Sequence, residues 1–447
     1  MRRQWSIAFG FLVLIAIGAV ALSSPWARNA GAWGNFGSSL FTSFSAVCVT
    51  GLTVVDVATE YTRVGQIVLL LLMEIGCLGL MTCGTFLLVA IGRRLSLSRE
   101  FTLMNAYGVE QVQGLKSLIF WVVGCMLVIE AVGAALLWLR FRTLFPDDAV
   151  YFSIFYSMMS FCNAGFSILP GSLASFIDEP YVVIVSALLT IAGGIGFLVI
   201  YNLCTFKFLR RRSGGKGRLT LHTRVVLRLT GYLLAAAFIA FLVFEWTGTL
   251  EGFAPLKKLW VAFYQAVTPR TCGFCVIPTE SLRPVTRLFY EALMFVGGGP
   301  GSAAAGIKVT TFAVLVYTVT AMCRGEVETV ISRRTVPPDV VRESIVIFTA
   351  LVVLVFVVSS ALFITESARI ASGATTLDAL VFEAVSAITT TGLSMGDTTS
   401  GLTAGGRGVI MAAMFMGRLG ALTVVMMIGD RESKRHIRFP NEELVVG

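Results

Sequence analysis

The sequence predicts an all-α polytopic membrane protein in which four pseudo-symmetric span–half-helix–filter loop–span repeats surround a central pore. First, 56% of the 447 residues are hydrophobic and only 14% are charged, whereas a soluble domain carries about 25% charged residues. Second, the mean hydropathy is +0.82, and apolar runs of about 20 residues, the length that spans a bilayer, recur along the chain. Third, a short glycine-centred motif occurs four times at nearly equal spacing, which indicates an internal repeat.

The glycine motif sets the period of the repeat. Its four copies read VCVTGLT, FCNAGFS, RTCGFCV and TTTGLSM, and their central glycines are separated by 114, 108 and 119 residues. These glycines are Gly51, Gly165, Gly273 and Gly392. The sequence therefore predicts four pore units, at residues 1–98, 99–212, 213–334 and 335–447.

Each unit contains the same parts in the same order. A first span is predicted at about 5–23, 117–139, 229–247 and 343–364. An amphipathic run of about 13 residues follows, too short to cross a bilayer but long enough to enter it halfway as a helix. The second spans come after the glycine, at about 64–91, 180–209, 285–323 and 406–429. The basic, apolar N-terminus also resembles a secretory signal, but the repeat requires it as a retained first span.

The stretch around each glycine is predicted to be non-helical. AVCVTGLTVVD, at 46–56, is rich in β-branched residues, which favour extended backbone. Irregular backbone at membrane depth is tolerated only where it is packed in protein or lines a watery cavity. We therefore expect the four segments to converge on one axis. There the half-helix C-termini supply partial negative charge, glycine allows positive φ, and carbonyl oxygens can replace the hydration shell of a cation. The simpler interpretation of each glycine is tight packing between spans.

A second glycine-rich segment interrupts the second span of the third unit. FVGGGPGSAAAGIKVTTF, at 295–312, cannot continue a stable helix, yet apolar sequence resumes on both sides. We expect an intramembrane loop below the pore segments that can obstruct the path. A phosphate-cradling loop is the alternative, but no soluble strand precedes it. The predicted gating residues are Gly297, Gly298, Gly299, Gly301, Ser302, Gly306, Lys308 and Arg418.

Lys308 and Arg418 are basic residues in apolar surroundings. Charge inside a membrane is costly and usually functional or paired. One interpretation is pairing with Glu74 or Glu291, or snorkelling to an interface. The other is that Arg418 forms a positive barrier below the pore segments and that Lys308 anchors the loop.

Basic residues are distributed unequally between the two predicted faces. With the N-terminus inside, 22 lie in cytoplasmic segments and 11 on the opposite side, which supports cytoplasmic location of both termini. The basic clusters flank spans, which argues against nucleic-acid binding. Acidic residues at the predicted outer mouth could concentrate cations or simply be solvated. They are Asp56, Glu60, Asp378, Glu383 and Asp397.

Six segments together resemble the Ktr/Trk/HKT superfamily of potassium transporters. They are AVCVTGLTVVD, FCNAGFS, TPRTCGF, GGGPGSAAAGIKVTTF, TTTGLS and MFMGRLG, and they occur in this order over nearly the full length. The chain looks most like the KtrB type, the membrane subunits of bacterial Ktr systems. It starts directly in the first repeat, whereas TrkH-type proteins carry extra spans before it.

The resemblance implies a selectivity filter at Val49–Leu52, Asn163–Phe166, Thr271–Phe274 and Thr391–Ser394, with potassium bound at the four glycines. The implied filter residues are Val49, Thr50, Gly51, Asn163, Ala164, Gly165, Thr271, Cys272, Gly273, Thr390, Thr391 and Gly392. Each segment keeps one glycine but lacks the glycine–tyrosine–glycine signature of potassium channels. Our hypothesis is that potassium is favoured over sodium less absolutely, which makes sodium a second candidate ion.

The resemblance also makes 296–309 the gating loop, although relatives tend to carry more serine and threonine where this chain has Ala303, Ala304 and Ala305. It implies a homodimer in the bacterial plasma membrane that rests on a cytosolic nucleotide-binding ring of the KtrA type. Nucleotide would bind that partner rather than this chain. The C-terminal IRFPNEELVVG resembles the KtrB tail that packs at the dimer interface. Membrane lipid is a further expected partner.

Two other function classes compete with a pore. CGFC, at 272–275, is formally a redox Cys-x-x-Cys motif, but it coincides with the third glycine segment and has no thioredoxin-like context. The sequence therefore predicts a protein that is not an enzyme. An alternating-access cation carrier, built from repeats with a midplane site, is the closer rival. Carriers of that kind break helices in two halves, whereas here every repeat carries a re-entrant segment.

Overall fold

The computed structural model describes residues 2–79, 115–169, 171–212 and 219–420. Parts of several predicted features lie outside these residues. They are the ends of the second spans at 80–91 and 421–429, the unit boundary at 98, the basic segment 213–218 and the C-terminal tail. Helix predominates throughout the described ranges, as the sequence predicts. The division into units at 98, 212 and 334 stays a prediction.

The first spans of the four units are long apolar helices. The helices are α1 (Arg2–Ser23), α5 (Leu115–Leu144), α9 (Leu221–Glu245) and α13 (Pro338–Thr365). Among the described residues, three stretches are each long and apolar enough to cross a membrane as one helix: Ile119–Leu144, Leu221–Glu245 and Pro338–Thr365. Large apolar side chains on their outer faces are exposed, for example Phe356 at 73%, as expected for surfaces that contact lipid.

Four shorter helices occupy the positions predicted for half-helices. They are α2 (Phe36–Val47), α6 (Ala149–Cys162), α10 (Pro255–Val267) and α15 (Leu377–Ile388). Three of the four begin at a favourable N-terminal residue. The side chains of Asn35 and Thr376 cap α2 and α15 by accepting hydrogen bonds from backbone amides, and Pro255 stands at the first position of α10. Each half-helix packs against the first span of its own unit. Polar contacts assist, since Ser43 Oγ donates to Ile15 O at 2.7 Å.

The second spans start where predicted but are more interrupted than the sequence suggested. They are α4 (Arg63–Leu78), the pair α7 (Pro180–Ile195) and α8 (Phe197–Arg212), the pair α11 (Pro284–Phe295) and α12 (Val309–Cys323), and α17 (Ala404–Leu419). The break between α11 and α12 falls at the predicted loop. The span predicted over about 180–209 is also broken, because α7 and α8 meet at an angle of 95°.

The unpredicted break is centred on Gly196. This residue has a φ of 99°, a conformation that glycine adopts cheaply and other residues rarely do. The amide of Phe197 then donates to Gly301 O at 3.0 Å instead of continuing the helix. A hydrogen bond to the loop of the third unit therefore replaces a helical hydrogen bond within the second unit. Helices α4 and α17 end at similar glycines, Gly79 and Gly420, with φ of 78° and 85°.

Short elements complete the described chain. They are α3 (Val57–Glu60), α14 (Ser367–Ala371), α16 (Thr398–Gly401), two short 3₁₀ helices (Ser172–Phe176 and Thr279–Ser281), and the antiparallel strands β1 (Val330–Ile331) and β2 (Arg334–Thr335). The largest buried apolar cluster joins residues from the first three units, and a second cluster is built mainly from the fourth. The four half-helices are thereby held around one centre.

Candidate ion-conduction site

The four motif glycines meet at the centre of the molecule in a closed ring. We call Gly51, Gly165, Gly273 and Gly392 the glycine ring, because each lies against the next one in chain order and the fourth lies against the first. A methyl group added to each glycine would lie 2.4 Å from Ala164 O, 2.9 Å from Gly273 Cα, 2.6 Å from Thr391 O and 1.9 Å from Thr50 O, respectively. No side chain fits these approaches, so the backbones can come this close only because each residue is glycine.

The backbone of each segment alternates in a regular way. The ring glycines have φ of 93°, 59°, 78° and 84°, and the residue two positions earlier also has positive φ. Those earlier residues are Val49 (56°), Asn163 (57°), Thr271 (67°) and Thr390 (49°). The residue between them has negative φ, so successive carbonyls turn to the same side of the chain. Three of the four earlier residues are β-branched, for which this conformation is a strained outlier, and such strain concentrates at functional sites.

Carbonyl oxygens form the inner layer of this arrangement. In three segments, the amide of the residue before the ring glycine donates back to the end of its half-helix. Thr50 N, Ala164 N and Thr391 N reach Ser45 O, Met159 O and Ser386 O at 2.8, 3.1 and 2.8 Å. The carbonyl of that same residue lies against a neighbouring ring glycine. These oxygens, Thr50 O, Ala164 O, Cys272 O and Thr391 O, accept no hydrogen bond from any described residue. A ring of free carbonyls is a site that favours a desolvated cation.

A cavity of about 330 Å³ opens onto three of the ring glycines. It is lined by the residues that follow them in the chain, including Asp56 and Asp397. Glu383, predicted at the same mouth, is instead fully buried. Its carboxylate accepts hydrogen bonds from Ser394 Oγ, from Met395 N at 3.2 Å and from Thr399 Oγ1 at 2.8 Å. Glu383 therefore braces the fourth segment rather than facing the solvent.

Loop 296–309 is held by backbone hydrogen bonds on the other side of the glycine ring. Gly299 N donates to Gly194 O at 2.8 Å, so the loop packs against the broken second span of the second unit. Gly297 N donates to Ile307 O at 3.0 Å and closes the loop on itself. The predicted gating glycines thus lie together. The hydroxyl of Ser302 is buried and has no partner among the described residues.

Arg418 and Lys308 both bind carbonyls of this region. Arg418 Nη1 donates to Ala303 O at 2.6 Å, and its Nη2 donates to Gly76 O at the end of α4. Lys308 Nζ donates to Ala304 O at 2.5 Å. Arg418 therefore links loop 296–309 to the second span of the first unit, and Lys308 links the end of the loop to its middle.

The interpretation that these cations pair with Glu74 or Glu291 is not supported: neither acid forms an ion pair with them in the described part of the chain. Glu74 lies instead beside Glu130 and Cys162, whose thiol donates to Glu74 Oε2 at 3.1 Å. Three helices from two units bring these groups together. Their separation in the sequence, by 56 and 32 positions, hid the contact.

Arg270 is a buried cation that the sequence did not single out, because it was counted among the 11 basic residues of the outer side. It is only 8% exposed, and its Nη2 donates to Gly297 O at 3.0 Å. Arg270 precedes Thr271 of the third segment, so it connects that segment directly to loop 296–309. The signal was present, since a charge in a membrane-depth segment marks a functional candidate. The two cysteines of CGFC, Cys272 and Cys275, are free thiols.

The fold is that of a helical membrane protein with a ring of glycine segments at its centre. A family model described as TrkH, cation transport protein, matches residues 12–434, and the chain belongs to that family. The family resemblance predicted from the motifs is thereby confirmed. The matched proteins are ion transporters, which also confirms the prediction that the chain is not an enzyme.

Several characterised proteins are similar along nearly the whole chain. The Ktr system potassium uptake protein B of Bacillus subtilis is 35% identical, over 99% of this chain and 96% of its own length. The potassium/sodium uptake protein NtpJ of Enterococcus hirae is 33% identical, with the same two coverages. The crystal structure of the potassium transporter TrkH from Vibrio parahaemolyticus matches with a TM-score of 0.70 at 16% identity, covering 94% of this chain and 85% of that one. That likeness confirms the predicted fold class.

Proposed function

We propose that this protein takes up potassium across the bacterial plasma membrane through the glycine ring. The observation that carries the proposal is the closed ring of four segments whose inner carbonyls are free of other hydrogen bonds. Such oxygens can replace the hydration shell of potassium. Relatives that are 35% and 33% identical are named for uptake of potassium and of potassium/sodium, so sodium is the second candidate ion.

Each ring glycine contributes to one potassium site in this proposal. The residues that supply its oxygens are the predicted filter residues at Val49–Leu52 and the equivalent positions of the other three units. Asp56 and Asp397 in the outer cavity raise the local concentration of cations. Because a single glycine marks each segment, we expect few well-defined carbonyl layers and a preference for potassium that is less strict than in potassium channels.

Loop 296–309 acts as the gate in this proposal. Its small residues lie on the far side of the glycine ring from the outer cavity, and Arg270, Lys308 and Arg418 hold it through its carbonyls. In this state Arg418 also places a positive charge next to the path. Movement of the loop away from Arg418 would open it.

Regulation is proposed to come from a partner. The relatives include membrane subunits named as parts of Ktr systems, and the resemblance supports a homodimer on a cytosolic KtrA-type ring that carries the nucleotide. The excess of basic residues in the predicted cytoplasmic segments supports cytoplasmic location of both termini.

The test combines a cellular and a purified assay. A potassium-uptake-deficient bacterium is complemented with this chain, with and without a KtrA-type partner, and the purified chain is measured for rubidium and sodium flux in liposomes. We expect growth at low potassium and a rubidium flux that exceeds the sodium flux. Purified chain that passes no rubidium under any condition would refute the proposal. A flux within the range of ordinary carrier turnover would favour the alternating-access alternative instead.

A further inference from the structure

A second cavity, of about 760 Å³, shares no lining residue with the cavity at the glycine ring. Its lining comes from the start of α9 and from the turn between β1 and β2. The lining residues are Leu219, Thr220, Leu221, Arg224, Arg228, Ser332, Arg333 and Arg334. Four of these eight residues are arginines, and none is acidic. This volume falls within the range of small-molecule sites.

The hairpin that supplies two of these arginines is rigidly placed. Its register pairs Val330 with Thr335 and Ile331 with Arg334. The two residues of its turn, Ser332 and Arg333, have φ of 51° and 64°, as in a tight two-residue hairpin turn. The side chain of Ile331 is buried. The hairpin therefore presents Arg333, from its turn, and Arg334, from β2, to the cavity.

The start of α9 supplies the other two arginines and a helix N-terminus. Thr220 caps the helix by accepting from Thr223 N at 3.2 Å, and the positive end of the helix dipole faces the cavity. Arg224 is half-buried, and its Nε is buried without a hydrogen-bond partner in the described ranges. A buried, unpaired donor of this kind is costly unless a ligand satisfies it.

Counter-charges are missing from this cluster in the described part of the chain. The ion pairs found there include none of the four arginines. The nearby acid Glu328 accepts from Thr335 Oγ1 at 3.1 Å and does not line the cavity. Four guanidinium groups that converge without an anion indicate that the anion is supplied from outside the chain, since guanidinium matches phosphate geometry.

We propose that this cavity binds a phosphate group carried by an anionic phospholipid headgroup or by a free phosphate. In the proposed topology it lies at the cytoplasmic end of α9, beside the link between α12 and α13, where the headgroups of the inner leaflet lie. Arginines at that surface attract anionic lipid. The cavity has room for a whole headgroup, which favours the lipid as the source. Occupancy would fasten the hairpin between the third and fourth units to the start of α9.

The test uses isothermal titration calorimetry on the purified full-length chain in neutral detergent. The three titrants are short-chain phosphatidylglycerol, short-chain phosphatidylcholine and inorganic phosphate. The test variant is Arg224→Gln with Arg333→Gln. The matched control is Arg324→Gln with Arg342→Gln, which removes the same charge from exposed arginines on the same face outside the cavity. At about 1 kcal/mol per arginine, the test variant should bind phosphatidylglycerol about 30-fold more weakly, and the control should stay within about threefold of the parent.

Thermal unfolding of each variant is measured in parallel. The single change Arg333→Gln, on the exposed turn, serves as a second variant with an expected loss of about fivefold. If inorganic phosphate binds as tightly as phosphatidylglycerol and competes with it, the phosphate site is supported and its ligand is free phosphate. Equal losses in the test and control variants, or no phosphate-dependent binding by the parent, would overturn the proposal.

Discussion

Replacing Gly392 with alanine tests the glycine ring most directly. The new methyl group would lie 1.9 Å from Thr50 O, and the residue has a φ of 84°. Alanine in this conformation costs about 1–2 kcal/mol, and overpacking of a tight site costs about 1–3 kcal/mol more. The segments must separate by on the order of 1.5 Å to reach ordinary contact, the range at which dispersion contacts are made. The carbonyl of Thr50, one of the proposed potassium ligands, is the group that must move.

The expected result is a loss of flux. A barrier raised by only about 1.4 kcal/mol slows transit tenfold, so rubidium flux in liposomes should fall at least about tenfold in Gly392→Ala. The matched control is Gly408→Ala, in the same unit, where an added methyl meets nothing within 4 Å. There alanine should leave flux unchanged and stabilise helix α17 slightly.

The four ring glycines also predict a ranking. The approach distances are 1.9 Å at Gly392, 2.4 Å at Gly51, 2.6 Å at Gly273 and 2.9 Å at Gly165, so the damage from alanine should decrease in that order. The reasoning is refuted if Gly392→Ala and Gly408→Ala, at equal amounts of folded protein per vesicle, give the same rubidium flux.

Three further changes test the parts around the ring. Arg418→Ala should raise cation flux because it frees loop 296–309. The control Arg407→Ala, on the same helix but away from the loop, should leave the flux unchanged. Lower or unchanged flux in Arg418→Ala would contradict the proposed gate. Glu383→Gln replaces one of the two acceptor oxygens that bind three donors with an amide donor, and it should lower the free energy of unfolding by about 1–3 kcal/mol, together with flux. An unchanged thermal transition would show that the brace is dispensable. At the surface, the hydrogen bonds and charge of Arg140 lower the pKa of Glu179. The ionised carboxylate therefore stabilises the fold at any pH above its ordinary pKa, and this contribution disappears as the pH falls through the lowered pKa. When the pH is lowered from neutral to below about 4.5, the thermal stability of Glu179→Gln should therefore fall less than that of the parent. An equal fall in both proteins would show that the Arg140–Glu179 pair does not cause the pH dependence.

Local patterns were sufficient for much of the fold. The half-helices lie between the first span and the glycine of each unit, as predicted, because a short amphipathic run followed by glycine is a signal contained in one stretch of chain. The break at Gly196 was missed for a related reason. The sequence from 193 to 196 reads GGIG, but small residues are common in membrane helices, and only the bond from Phe197 to Gly301 distinguishes a break from close packing.

The residues of the site likewise divide into those with a local sequence signal and those without one. The four motif glycines and Arg418 were predicted because they repeat or stand out in composition. Arg270 was not singled out, since it was counted with the other basic residues of the predicted outer side. The partners of Glu74 were also misjudged, because an acid and a base within one membrane suggest a pair, whereas the structure brings Glu74 to Glu130 and Cys162.

Hydrophobic length, period and glycine spacing are properties of consecutive residues, so they were enough to predict where spans begin, the fourfold repetition and a non-helical glycine segment in each unit. Which carbonyl faces which glycine, how loop 296–309 is fastened and which arginines gather at the start of α9 became known from the folded chain alone. Those features depend on atoms that lie up to about 340 positions apart, as in the bond from Arg418 to Gly76 O. Their energies come from close approach and desolvation inside the packed molecule.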